Sequence, residues 1–352
     1  MSVGALAILA AGALTIVIRP QVTLSRQVTP DRVTAGEHAL GQLLVRNVSR
    51  WPAPGFAAVD LVGGEPVTLE MGMLAGNGLR TVRYPIPAKR RGRLLLGPLT
   101  VERSDPAGMF VWRKRQAADA ALWVHPRVHP LRPLPVGIVL DYEGRTTQHA
   151  KPGTVTFSSL REYVPGDDPR QIHWRSTART GTLIVREHVD TTEPATTVVL
   201  DTRSRALDAE AFEHAVEFAA SLVRAVEDAG RPIALHIVGE DPVAVFAAGA
   251  ESSLDRLAMA EAVPGMDSVL LIETVERIVP GGALAVVTGS IPPGELARLA
   301  AQRHRFSPVV VTMLDPQSDA GIQRRPSMAL LTAGSAVEAA TAWHRMISGD
   351  LG

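Results

Sequence analysis

The sequence predicts an α+β multidomain protein: an N-terminal hydrophobic helix, an antiparallel β-sandwich, then an α/β doubly wound, mainly parallel sheet. Three observations predict this. Val3 to Ile18 carries no charge. Residues 22–125 hold short period-two runs broken by Gly and Pro, the pattern of a sandwich. From Thr196 onward, β-branched runs alternate with amphipathic stretches, which implies a sheet covered on both faces. The boundaries that follow are 1–18 for a membrane anchor, 19–128 for the sandwich, 129–195 for a linker and motif segment, and 196–350 for the α/β domain.

With 36 basic and 36 acidic residues the formal charge is zero, so the balance gives no pull toward nucleic acid. The chain has no cysteine, which excludes disulfides, thiolate metal sites and cysteine nucleophiles. As a helix, Val3–Ile18 spans about 24 Å, slightly short for a bilayer. Arg19, Arg26 and Arg32 follow it and nothing basic precedes it. The positive-inside rule therefore predicts a single N-terminal span in the cell membrane with the main body cytoplasmic.

Seven strands are expected in the sandwich, within 22–28, 39–47, 55–61, 68–74, 79–86, 93–101 and 122–125. The basic run Lys89 to Arg93 reads as a solvated hairpin tip, and Asp105 to Phe110 as a turn ending on an aromatic. Prolines at 126, 130, 133 and 135 mark a linker.

The densest cluster of charged and aromatic residues is Leu160 to Glu187. Arg161, Glu162, Asp167, Asp168, Arg170, His173, Arg175, Arg179, Arg186 and Glu187 supply both signs of charge, with Tyr163 and Trp174 to cover them. This composition suits a half-buried ion-pair network, in which losing Trp174 or Arg179 destabilises the fold. Adjacent carboxylates without a second His argue against a metal site, and no nucleophile has a triad-like partner.

The pattern R-E-Y-x-x-G-D-D-x-R-x-I-x-W-x-x-x-A-R-x-G-x-L-x-V-R-E resembles the signature of the bacterial family catalogued as domain of unknown function 58. Its signature positions here are Arg161, Glu162, Tyr163, Gly166, Asp167, Asp168, Arg170, Trp174, Ala178, Arg179, Gly181, Arg186 and Glu187. Arg90-Arg91-Gly92 and the Asp105–Phe110 turn match two further family features. The resemblance implies membrane helices, a β-rich segment and a von Willebrand factor type A-like domain. It also implies a partner, a MoxR-type AAA+ ATPase. Family members usually begin with a pair of hydrophobic helices, where this sequence shows one.

In the α/β part, strands are expected near 196–201, 232–238, 243–247, 284–288, 309–314 and 328–332, and helices near 206–228, 252–262, 268–278, 294–304 and 336–347. Ligands of such folds sit beyond the carboxyl ends of the strands, where Asp201 and Thr288 stand. Type A domains carry D-x-S-x-S there, because a divalent cation needs converging oxygens. This chain has Asp201-Thr202-Arg203-Ser204-Arg205, so arginines stand where the serines should be. Asp201 and Thr288 are thus disfavoured as metal ligands. Asp201 is expected to cap or to pair with Arg203 or Arg205, and no cofactor is expected.

The function expected is a membrane-anchored, non-enzymatic scaffold or adaptor with a degenerate type A-like domain. It would work with the MoxR-type ATPase, and with other membrane proteins as possible partners. The alternatives are a metal-dependent hydrolase and a divalent-cation-dependent ligand-binding receptor.

Overall fold

The computed structural model describes residues 19–105, 108–117, 119–135, 138–139, 147–148, 156–164, 172–189, 195–267, 269–325 and 328–349. The expected anchor, residues 1–18, lies outside them. Among the described residues, no helix is long and apolar enough to cross a membrane. The chain is of mixed α/β type. Among the described residues its α-helices are α1 (Trp174–Thr180), α2 (Ala209–Asp228), α3 (Pro242–Ala247), α4 (Ser253–Met259), α5 (Leu270–Arg277), α6 (Pro293–Ala300) and α7 (Ala336–Ser348).

Two compact units divide the chain: residues 1–127 with 241–260, and residues 128–240 with 261–352. Residues 241–260, read from the sequence as part of the α/β domain, group instead with the N-terminal strands. Within them, Val243–Ala247 is helical rather than extended. Asp241 caps that helix by accepting from Val243 N, and Pro242 opens it, two start signals that outweigh an alternating apolar pattern.

The first unit holds β1 (Val22–Thr29), β2 (Arg32–Thr34), β3 (His38–Asn47), β4 (Phe56–Val62), β5 (Glu65–Met71), β6 (Leu79–Pro87), β7 (Gly92–Ser104), β8 (Val111–Ala117) and β9 (Ala120–His125). One sheet runs β1-β3-β6 and the other β2-β9-β7-β4-β5, with β8 also on β7. Strands β2 and β8 were not expected from the sequence. Period-two burial sends Leu43, Val45 and Ile86 of one sheet, and Ala58, Leu96, Leu99 and Leu122 of the other, into a single core. Inside this unit Asp60 is fully buried and accepts from Arg26 and from the Tyr84 hydroxyl. Burial and the neighbouring Asp60 push the Tyr84 hydroxyl above its ordinary pKa. Gly41 makes room for that ring, since a Cβ there would stand 2.5 Å from Tyr84 Cζ.

The second unit opens on the proline-rich stretch, which is strapped down rather than loose. His129 N donates to Ser221 Oγ (2.9 Å), Trp343 Nε1 to the Arg132 carbonyl (2.8 Å) and Arg231 to the Leu134 carbonyl (2.7 Å). Two antiparallel pairs follow, β10 (Ile138–Val139) with β11 (Thr147–Gln148), and β12 (Thr156–Glu162) with β13 (Ile184–Val189). The main sheet holds β14 (Thr196–Leu200), β15 (Ile233–Ile237), β16 (Ala283–Thr288), β17 (Val309–Leu314), β18 (Gly321–Arg325) and β19 (Met328–Ala333), in the order β15-β14-β16-β17-β19-β18. All pairs are parallel except the β18 edge. Val199, Val286 and Val311 face α5 and α6 in one core. The alternate residues face α2 and α7, whose Phe218 and Trp343 meet edge to face at 5.8 Å. Both faces are therefore covered, which is why β14 and β16 read as unbroken apolar runs.

Candidate functional site

The strand order reverses at β14. The chain steps from β14 out to β15, then returns to the other side of β14 as β16, so the crevice at their carboxyl ends is the switch point where such sheets place ligands. Asp201 follows β14, Thr288 ends β16, and the sheet brings the two together as expected. Thr288 Oγ1 donates to Asp201 Oδ2 at 2.7 Å.

The same carboxylate is filled from the other side by Arg203. Its Nε donates to Oδ1 at 2.9 Å, its Nη2 to Oδ2 at 2.8 Å, and its backbone N to Oδ1 at 3.1 Å. The far edge of the guanidinium reaches Glu295 in the first turn of α6, with Nη2 to Oε2 at 2.9 Å. Asp201 is fully buried and Arg203 is 4% exposed, so this is a dry, bidentate pair. Burial pulls the Arg203 guanidinium down, but its bonds to Asp201 and Glu295 outweigh that and raise its pKa above the usual value. The loops around it are locked. Ser290 N donates to the Ala206 carbonyl, and a Cβ on Gly289 would stand 1.9 Å from that oxygen, so glycine is required there. Thr202 Oγ1 donates to the Val238 carbonyl and Val263 N to the Thr202 carbonyl.

These residues do not fit a divalent cation. Both Asp201 oxygens accept from Arg203, one also from Thr288, and a fixed positive charge fills the coordination position. Among the described residues, no group of three or more His, Cys, Asp or Glu is placed to hold a metal. Pairing of Asp201 with Arg203 was legible from their spacing. Glu295 was missed, and its signal is an acid in a helix first turn opened by Pro293.

The signature segment is arranged differently from the half-buried network expected. Gly166, Asp167, Asp168 and Arg170 lie outside the described residues. Arg161 stands opposite Val185, and Arg186 and Glu187 opposite Leu160 and Ser159, along the β12–β13 hairpin. Glu162, Ala178 and Arg179 are exposed, Tyr163 is half-buried, and Trp174 is 66% exposed. None of the residues of α1 is buried. His173, outside the expected site set, caps α1 by accepting from Ser176 N, while Gly181 ends it in the left-handed region at φ +77°. Ile184 and Val185 are the buried residues here, and Thr177 Oγ1 accepts from Ile184 N at 3.0 Å.

A second ionic cluster lies in the first unit and was not expected. Asp255, at the third position of α4, is fully buried. It accepts from His125 Nε2 (2.7 Å), from Arg32, and from the backbone N–H of Glu251 and Ser252. Burial pushes its carboxyl up, but the bonds from His125, Arg32 and the backbone outweigh this and hold it well below the usual carboxylate range. At the other end of α4, Arg91 Nη1 donates to the carbonyls of Leu257, Ala258 and Ala260. The basic run is therefore not merely a solvated tip: Arg91 satisfies a helix C-terminus.

Residues 159–320 match the family model described as "Protein of unknown function DUF58". This DUF58-like region is a little under half of the chain. It contains most of the hairpin, α1 and the whole Asp201–Arg203–Thr288–Glu295 cluster. No curated protein matches the chain in sequence. Among solved structures, the chain is similar to the CARDB domain of a Pyrococcus furiosus protein crystallised with di-metal ions, at 15% identity over 31% of this chain and 89% of that one, TM-score 0.24. It is also similar to the Pseudomonas fluorescens alkylpurine DNA glycosylase AlkC, at 14% identity over 30% and 34%, TM-score 0.21. Neither likeness is large enough to bear on the function of the DUF58 region.

Proposed function

We propose that the chain is a membrane-anchored, non-enzymatic scaffold whose DUF58 region is a degenerate von Willebrand factor A-like domain behind a β-sandwich. The supporting observation is the Arg203 guanidinium, held by Asp201 and Glu295 at the switch point where a type A domain would hold a metal ion. A permanent internal cation removes the need for an exchangeable one, so a partner would be engaged without a metal bridging it. The expected partner is a MoxR-type AAA+ ATPase, on the strength of the family resemblance. Membrane attachment rests on the uncharged run Val3–Ile18, and the arginines after it favour a cytoplasmic body. The competing hydrolase reading needs Asp201 as a metal ligand, and Arg203 stands in its way.

Calorimetry of the full chain with Mg²⁺, Mn²⁺ and Ca²⁺ tests the reading. No stoichiometric binding is expected. Stoichiometric binding that disappears in Asp201→Ala overturns it in favour of the metal-dependent alternatives. Recovery of an AAA+ ATPase with the full-length chain from its native membrane tests the partner.

A further inference from the structure

One pole of the two-sheet unit gathers six exposed large apolar side chains. Strand β1 begins there at Val22, opposite Asn47 at the end of β3, and Arg46 pairs with Leu79 at the start of β6. Phe56 pairs with Met71, and Ser104 with Val111, at the matching ends of the second sheet. The loops that leave these ends are tied together. Asn47 Nδ2 donates to the carbonyls of Trp51, Leu74 and Ala75, and Ala53 bridges to Leu74. The third loop is fixed by Asp105, which accepts from Phe110 N at 2.7 Å. At this pole Val48, Trp51, Met73, Leu79, Met109 and Phe110 are all exposed, Trp51 by 67% and Met73 by 70%. A patch of this kind marks a contact surface.

Two facts say what covers it. The first is a tether: Ile18, the last residue of the uncharged N-terminal run, is four residues from Val22, so the two are at most about 14 Å apart. The second is charge. Arg19, Arg46, Arg50, Arg80 and Lys114 are exposed at this pole, Arg50 lying 5.3 Å over the Trp51 ring. Against them stand Glu70 and Glu102, and Glu102 is paired with Arg113. A cavity of about 580 Å³, walled in part by Arg19, Val48, Trp112 and Lys114, opens beside the chain entry. Amphipathic Trp, flexible Met and a surplus of arginine are what an anionic lipid interface selects.

We propose that this pole docks on the headgroup layer of an anionic bilayer, with Trp51, Met73, Met109 and Phe110 entering the interface and Arg46, Arg50 and Arg80 meeting lipid phosphates. The proposal deepens the membrane placement above and rests on it. It fixes which end of the two-sheet unit faces the lipid.

Because the chain lacks cysteine, single spin labels can be placed by Trp51→Cys and Phe110→Cys, with Glu65→Cys as control. Glu65 is exposed at the start of β5, opposite Val62 at the far end of β4 and about 20 Å away. The full-length chain is reconstituted into phosphatidylcholine vesicles with and without phosphatidylglycerol, and label collisions with oxygen and with a water-soluble nickel chelate are measured. The expected result is loss of nickel collisions and gain of oxygen collisions at 51 and 110, not at 65. Phosphatidylglycerol should strengthen the contrast and the triple reversal R46E/R50E/R80E should weaken it. Labels at 51 and 110 as wet as the one at 65, on protein that resists carbonate extraction, overturn the docking while leaving the anchor standing. Protein that carbonate removes, but whose labels at 51 and 110 are dry when bound, overturns the anchor and keeps the docking. Dry labels only when another protein is present overturn the lipid in favour of a protein partner.

Discussion

Asp201 and Asp255 are both fully buried carboxylates satisfied by an arginine, yet they do different work in the two units. At Asp201 the arginine comes from two residues away and is itself 4% exposed. Its second fork reaches Glu295, so one cation serves two acids and the crevice between β14 and β16 closes. At Asp255 the partners, Arg32 and His125, come from 223 and 130 residues away, and the Arg32 side chain remains 33% exposed. That carboxylate also caps its own helix through Ser252. The first pair joins the ends of β14 and β16 to α6; the second fastens residues 241–260 to the strands. Burial of a charge alone does not distinguish the two uses; the sequence distance and hydration of its partner do.

The comparison is broken most forcefully at Arg203. Arg203→Ala leaves Asp201 and Glu295 without the cation between them, and an uncompensated buried charge costs about 3–5 kcal/mol. Urea unfolding should show that loss, and the double variant Asp201→Asn/Arg203→Ala should recover part of it, because it removes the orphaned charge. A loss in the double variant equal to the sum of the losses in Asp201→Asn and Arg203→Ala would mean that the pair is not coupled.

Asp255→Ala should cost less, about 2–3 kcal/mol, from one cap and charge-assisted bonds to a partner that can retreat into water. This pair also gives the comparison a pH signature. The folded pKa of Asp255 is lowered, so its contribution is complete above pH about 4 and is lost as the pH falls through the folded value. Melting of the native chain in acid should therefore fall more steeply than melting of Asp255→Ala. Tyr84 works in the opposite direction: its pKa is raised, so its contribution is complete below pH about 10 and fades as the pH climbs further.

What was legible in the sequence follows the same division between near and far. The apolar runs of β14 and β16, the α2 helix and the Asp201–Arg203 pair are written in residues close together. Glu295, 92 residues from Arg203, left only the local sign of an acid starting a helix. The grip of His125, Arg32 and Arg91 on α4 left none, since local patterning assigns α4 to the domain whose sequence surrounds it. Val243–Ala247 misled because five residues of alternating apolar character fit a strand, while Asp241 and Pro242 just before them specified a helix.

The signature segment supplies the smallest expected effect and the sharpest contrast with Asp201. Its density of Arg, Glu and Trp suggests a covered network, but composition cannot say whether another layer lies over it. Trp174 is 66% exposed and α1 buries none of its residues, so Trp174→Ala should change stability by less than about 0.5 kcal/mol. Arg179, exposed in the last turn of α1, should behave the same way. If Trp174→Ala leaves melting unchanged but abolishes recovery of the proposed AAA+ ATPase partner with the chain, the exposed face of α1 belongs to a partner, while the buried Asp201 cluster holds the domain that presents it. A large drop in melting temperature would instead mean that Trp174 is covered within the protein itself, and the division between a buried structural cluster and an exposed recognition face would fail.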